Sequence, residues 1–170
     1  MVTIVNDVGK SPSFIDAKLF TDTRGWLKKL EISAGALPNF TVAEILVSRS
    51  TKGVIRGFHY QTGSSAGPKV VWCISGRILD VCFEVKDPPQ SLQDLHSVML
   101  DADSAPLVLP SGFGHGFECL SAECIVVYLL SRRYQPHEDE VVHYSSFGRW
   151  WSVDDPIVST RDSSASRFGV

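Results

Sequence analysis

Arg77-Ile-Leu-Asp80-Val-Cys82-Phe-Glu84-Val85 alternates along its whole length, with Leu79, Val81, Phe83 and Val85 separated by Asp80, Cys82 and Glu84. Side chains a period of two apart share one face of an extended strand. This segment therefore reads as a strand with one apolar face and one face free to carry polar groups. Outward from it, short runs rich in β-branched and aromatic residues recur: Thr41–Val47, Gly53–Tyr60, Val70–Ile74, His96–Leu100, Leu107–Leu109, Gly116–Leu120 and Cys124–Leu130. Clusters of Gly, Pro, Ser and Asp at Thr62–Pro68, Lys86–Gln90 and Asp101–Pro106 punctuate them. Helical periodicity is hard to find. The pattern is that of an all-β sandwich or barrel, with a short helix or turn at Pro136–Glu140 and an irregular tail after Trp151 that can fold back. The terminal Ser-Ser-Ala-Ser-Arg-Phe-Gly-Val is polar and expected to fray.

The 170 residues, 44% hydrophobic and 21% charged, suit a single domain over residues 1–170 with a sizeable core. No internal repeat or linker divides them. A formal net charge of -3 and a pI near 5.9, with no basic run, argue against nucleic-acid binding. A small anionic ligand remains open, because a few arginines in a cleft suffice for it. No stretch has the length of a membrane span, and the N-terminus lacks a basic start followed by a long apolar region, so a cytoplasmic protein is expected. Cys73, Cys82, Cys119 and Cys124 lie in or beside apolar runs without metal-ligand spacing and read as buried free thiols.

Chemistry concentrates in Gly53-Val-Ile-Arg56-Gly-Phe-His59-Tyr-Gln61 and Pro110-Ser-Gly112-Phe-Gly-His115. These stretches resemble the two motifs of cupin barrels, Gly-x-x-x-x-x-His-x-His followed by Glu-x-x-x-x-x-x-Gly, and then Pro-x-Gly-x-x-His. Gly53, His59, Gly76, Pro110, Gly112 and His115 keep the frame. Gln61 stands at the second histidine and Lys69 at the glutamate. A divalent cation needs electron-donating ligands, whereas an ammonium offers only donors and a like charge. Lys69 thus argues against a metal and can itself stabilise negative charge on a carbonyl oxygen.

Over about Phe20 to Asp162 the chain is similar to the dTDP-4-dehydrorhamnose 3,5-epimerase family. The likeness rests on Arg24-Gly-Trp26, Ser-Arg-Ser-Thr-Lys-Gly-Val-Ile-Arg56-Gly-Phe-His59-Tyr-Gln61, Pro-Lys69-Val-Val, Gly76-Arg-Ile-Leu-Asp80, Leu-Pro110-Ser-Gly-Phe-Gly-His115, Val-Tyr128-Leu, Tyr134-Gln-Pro and Ser159-Thr-Arg-Asp162. The resemblance implies a cupin-type jelly roll with a short irregular or helical C-terminal region. It also implies an isomerase, free of metal and other cofactors, acting on a nucleotide-diphospho-4-keto-6-deoxy sugar. On this reading His59 is the general base oriented by Asp162, Tyr128 is the general acid on the opposite sugar face, and Lys69 and His115 lie near the C4 ketone. Arg24 and Arg56 meet the diphosphate, and Glu44 and Gln61 add substrate contacts. The segment carrying Arg24 and the stacking residue Trp26 crosses to a second copy, which implies a homodimer with shared sites.

Residue chemistry fits those roles. A proton beside a ketone is weakly acidic, so its removal needs a base near neutrality and a holder for the enolate oxygen. Two other readings stay open at this level: a metal-dependent cupin isomerase or oxygenase, short of ligands with only His59 and His115 in register, and a non-catalytic sugar-nucleotide-binding cupin. Members acting on thymidine nucleotides commonly carry Gln-x-Asn where this chain has Glu44-Ile45-Leu46. Neither the nucleotide nor the choice between carbons 3 and 5 is therefore read from the residues. His96, His137 and His143 read as surface or structural, and Trp72, Trp150 and Trp151 as core or interface.

Overall fold

The computed structural model describes residues 11–31, 40–86, 95–148 and 150–168. Twelve strands run in chain order as β1 (Ser13–Phe14), β2 (Asp16–Asp22), β3 (Gly25–Glu31), β4 (Glu44–Thr51), β5 (Ile55–Gln61), β6 (Lys69–Ser75), β7 (Arg77–Glu84), β8 (Leu95–Asp101), β9 (Leu107–Leu109), β10 (Phe113–Cys119), β11 (Glu123–Leu130) and β12 (Asp139–Val141). One short helix, α1 (Thr160–Ser164), follows. Antiparallel pairing arranges them in two five-stranded sheets, in the orders β1-β9-β6-β11-β4 and β12-β5-β10-β7-β8, with β2 and β3 as a separate hairpin.

The opening stretch explains the layering. In β7, Ile78 and Cys82 point into the core between the sheets, where they meet Val71, Leu109, Phe117 and Val126. Asp80 lies on that same inner face and is fully buried. The other face, Val81 and Phe83 with Leu79 beside them, is covered by the chain after β12. Both faces of β7 are therefore buried, and its polar inner row belongs to the interior. Phe58 anchors the outer layer, with ring centroids 5.5 Å from Phe83, 5.3 Å from Phe147 and 5.4 Å from Trp151. Full burial of such a side chain contributes about 1.5–3 kcal/mol. All four cysteines are buried free thiols.

The C-terminal segment is not frayed through Phe168, which corrects the expectation from its polarity. Isolated parallel bridges tie Val54 to Ile157 and Val142 to Ser166. Phe168 packs on the outer aromatic cluster. The buried Glu118 carboxylate accepts the Ser152 N–H at 2.6 Å and its hydroxyl at 2.5 Å. These anchors carry α1 back over β5.

The expected runs coincide with strands to within a few residues, apart from Thr41–Val47, whose strand is β4 and runs on to Thr51. Gly116–Leu120 is displaced toward the N-terminus, because the Phe113–His115 part of the glycine-rich motif is itself extended in β10. The β2–β3 hairpin was not visible as an apolar run, since nearly all of its residues face solvent. The turn expected at Lys86–Gln90 lies, beyond Lys86, outside the described residues, as do most of the N-terminal residues read above.

One local device sets the distance between the two histidine strands. Beside a register shift in the β5–β10 pair, Gly57 has φ of 121° and a Cβ there would stand 2.5 Å from the Gly116 Cα. Only glycine accepts that backbone and that approach. It leaves His59 and His115 as directly paired residues.

Candidate active site

A cavity of about 740 Å³ opens on one end of the fold, and both sheets and the C-terminal segment line it. His59, His115 and Arg56 come from β5 and β10, and Tyr128 and Lys69 from β11 and β6 of the other sheet. Gln61 and Asp162 complete the set brought together from the sequence reading. Alternation places His59 and Gln61 on one row of β5, and Lys69, His115 and Tyr128 on the inward rows of β6, β10 and β11. Arg56, three residues from His59, reaches the same side through the register shift in the β5–β10 pair, and Asp162 comes from the returning helix.

His59 is held first by Asp162. Its Nε2 donates to Asp162 Oδ1 at 2.9 Å, and Asp162 Oδ2 accepts the Gly57 N–H at 3.3 Å. Asp162 is only 3% exposed. Its place is fixed by the start of α1, where its N–H donates to the capping Ser159 hydroxyl at 3.1 Å. With Nε2–H committed to the carboxylate, Nδ1 is the lone-pair nitrogen. Burial alone would lower the His59 imidazole, but the carboxylates of Asp139 and Asp162 outweigh it and hold it above its ordinary value. Burial would likewise raise Asp162, yet its bond to His59 and the backbone N–H keep it below the usual carboxylate range.

His115 takes the opposite character. Its Nδ1 donates to the buried Asp80 at 3.1 Å, and burial together with the nearby Lys69 ammonium pushes its pKa down. It is a neutral imidazole with Nε2 as an acceptor. Lys69 donates weakly to the His59 carbonyl at 3.5 Å, and burial brings its ammonium down to about 8 against the raising effects of Asp80, Cys82 and Asp139. Burial pushes the Tyr128 hydroxyl well up, so it keeps its proton; its oxygen lies 3.4 Å from the Ser48 hydroxyl and its ring 6.0 Å from that of His115. Arg56 is braced by the Ser50 hydroxyl at 3.0 Å and the Arg49 carbonyl at 3.2 Å.

Residues 10–169 match the sequence profile of the dTDP-4-dehydrorhamnose 3,5-epimerases. A dTDP-4-dehydrorhamnose 3,5-epimerase of Shigella flexneri is 32% identical over 162 residues, covering 90% of this chain and 88% of its own. The chain belongs to the dTDP-4-dehydrorhamnose 3,5-epimerase family. Its fold is that of the family's solved members. The enzyme from Bacillus anthracis, solved with TDP and pyrophosphate bound, superimposes with a TM-score of 0.81 at 27% identity, over 92% of this chain and 94% of that one. A 3'-monoepimerase from Streptomyces bikiniensis, in complex with dTDP-quinovose, superimposes with a TM-score of 0.79 at 27% identity, over 94% and 86%. A cupin-type all-β architecture is thus common to the family and to this chain.

Three residues named from the sequence stand outside the cavity. Arg24, at the tip of the β2–β3 hairpin, is paired to Asp22 at 2.5 Å with its side chain 88% exposed. Trp26, on the same hairpin, is 55% exposed. Glu44 spends its carboxylate on the Tyr134 N–H at 2.7 Å and does not line the cavity, whereas Leu46, in the same inward row of β4, does. The glutamate is thereby a brace for the loop after β11 instead of a group facing a diphosphate.

Sequence reading missed Asp80, Asp139 and Arg161. Asp139 accepts from Gln61 Nε2 at 2.5 Å and from the Tyr134 hydroxyl at 3.2 Å, and Arg161 bridges onto both its carboxylate and its carbonyl. The signal for Asp80 was its place on the polar face of an otherwise apolar strand. Asp139 sits in a run of charged residues that looks solvated, and Arg161 lies in the Ser159-Thr-Arg-Asp162 stretch, where only Asp162 was given a role. Among the described residues no group of three or more His, Cys, Asp and Glu side chains is arranged to hold a metal ion. No helix among them is long and apolar enough to cross a membrane.

Proposed function

We propose that this chain inverts carbon 3, carbon 5 or both of a nucleoside-diphospho-4-keto-6-deoxy sugar, through an enolate. The observation that carries this is a histidine–carboxylate pair and a protonated tyrosine contributed by facing sheets to one cavity, with a lysine between them. His59 Nδ1 takes the proton from the carbon beside the ketone. The C–H electron pair becomes the enolate double bond, and the carbonyl electrons move onto oxygen, where the Lys69 ammonium stabilises them. Tyr128 then gives its proton to the carbon from the other face, and the ketone reforms. Neutral His115 accepts a hydrogen bond from the sugar, and Arg56 reaches toward the diphosphate.

In deuterium oxide, incubation with thymidine-, cytidine- and guanosine-diphospho-4-keto-6-deoxyglucose followed by proton magnetic resonance tests this directly. Deuterium is expected at the inverted carbon with at least one of the three, and the labelled position reports whether one or both carbons react. Absence of exchange with all of them refutes the reading.

The homodimer belongs to the same proposal. The hairpin exposes Leu19, Phe20, Trp26 and Leu27, and the edge strand β4 exposes Ile45, Leu46 and Val47. Apolar surface on a hairpin and an unpaired edge is what a second copy covers. A two-fold arrangement brings the Arg24–Trp26 hairpin of one copy to the cavity of the other. Sedimentation at micromolar concentration is expected to give a dimer; a fully active monomer overturns this part.

A further inference from the structure

His59 is flanked by a second carboxylate. Asp139 Oδ2 stands 3.8 Å from Nδ1, the ring nitrogen that Asp162 leaves free. That distance is too long for a hydrogen bond but short enough for a strong charge interaction once Nδ1 carries a proton. The placement is built. Asp139 begins β12, where it pairs with Gln61 while Val141 pairs with His59. Its side chain is 5% exposed and held by Gln61, Tyr134 and Arg161. Such bracing is more than a solvated carboxylate at a cavity rim receives.

We propose that Asp139, its charge shared with Arg161, is a second positioning carboxylate for His59, acting on the nitrogen that accepts the proton while Asp162 holds the ring. This rests on the reading of His59 as the base. The division of labour follows from the two ring nitrogens. Asp162 fixes tautomer and orientation through Nε2. Asp139 favours the imidazolium as Nδ1 takes the substrate's proton. Arg161 moderates it, because a carboxylate already paired with a guanidinium attracts a neighbouring proton less strongly.

Every charged element packed near the ring enters the balance. Asp162 of α1 and Asp139 of β12 favour the protonated ring, whereas Lys69 of β6, His115 of β10 when charged, and Arg161 oppose it. Burial would raise Asp139 itself, and its contacts to His59, Arg161 and Gln61 bring it below the ordinary carboxylate value, so it is charged throughout the working range.

The test reads His59 in the unliganded full-length protein, by magnetic resonance titration of its ring. Asp139→Asn keeps the shape and the hydrogen bond to Tyr134 but removes the charge, and is expected to move the His59 midpoint down by about one pH unit. Arg161→Gln leaves Asp139 without its counter-charge and is expected to move the midpoint up. Opposite movements are the signature, since a merely structural role would not reverse sign between the two variants. A midpoint unchanged in folded Asp139→Asn, or displaced in the same direction by both variants, overturns the proposal. The acidic limb of the kcat/KM profile for epimerisation is expected to follow the same two shifts. If the ring titrates as expected while that limb stays fixed, the inference about Asp139 stands and the assignment of His59 as base fails.

Discussion

His59→Ala is expected to abolish solvent exchange and epimerisation together, each by about a hundredfold or more, the scale of a lost general base. Both fall because the first covalent event, removal of the proton beside the ketone, has no other acceptor of suitable pKa in reach. Tyr128 keeps its proton, Lys69 is a cation below about 8, and burial with the Lys69 charge holds His115 below its ordinary value, so its free Nε2 is a weaker base than His59. Deuterium uptake, read before any inversion, is the direct measure. The variant is expected to fold, since His59 is half-buried and its strand is pinned by Phe58 and by the Gly57 contact with β10. It leaves Asp162 with the Gly57 N–H and the Ser159 cap, so the helix that carries the carboxylate remains seated. Substrate protons exchanging at near the parental rate in the folded variant would remove His59 from the mechanism.

Much of the fold is legible in the sequence because of where the information sits. The pattern of each core strand is written in its own stretch of sequence. Alternation in β7 and the β-branched runs around it specify strands whose inward rows are continuous, and the structure departs from them mainly at strand ends. The β2–β3 hairpin escaped because exposed strands carry no periodic apolar signal, and such strands are defined by what a partner covers. The C-terminal segment escaped for a related reason. Its polar Ser, Thr and Asp residues look like a frayed tail, yet Glu118, Val54 and Val142 supply from distant strands the bonds that hold it.

The site divides along the same line. His59, Lys69, His115, Tyr128 and Arg56 stand in the stretches that carry the family resemblance, and it is that resemblance which made their convergence legible. Glu44 was singled out because it stands where family members carry the Gln of Gln-x-Asn, and its carboxylate here accepts the Tyr134 N–H from far along the sequence. Asp139 and Arg161 are legible only in three dimensions. Their function depends on a carboxylate near a particular ring nitrogen, and no one-dimensional spacing encodes that distance.

Lys69→Met is the second large effect expected, a slowing of exchange and inversion together by about 2–4 kcal/mol in barrier, the scale of a removed oxyanion donor. Methionine keeps the length of the stem and deletes the cation, so the change isolates charge at the enolate oxygen. The pH profile carries the sharper reading. Burial brings the Lys69 ammonium down to about 8, and the mechanism needs it charged. As pH rises through that value the ammonium is lost, and kcat/KM of the parent falls on its basic side. On its acidic side kcat/KM falls as His59, raised above its ordinary value by its two carboxylates, takes up a proton. The optimum lies between the raised His59 midpoint and the Lys69 limb near 8. Tyr128 is pushed too far up to titrate in this range, so it contributes neither limb. In Lys69→Met the basic limb near 8 is expected to vanish while the acidic limb remains, because His59 and its carboxylates are still present. Loss of a neighbouring cation also makes His59 and His115 easier to protonate, which moves the acidic limb upward, opposite to the shift expected of Asp139→Asn. A parental rate in the variant, or a basic limb still centred near 8, would show that another group holds the enolate oxygen.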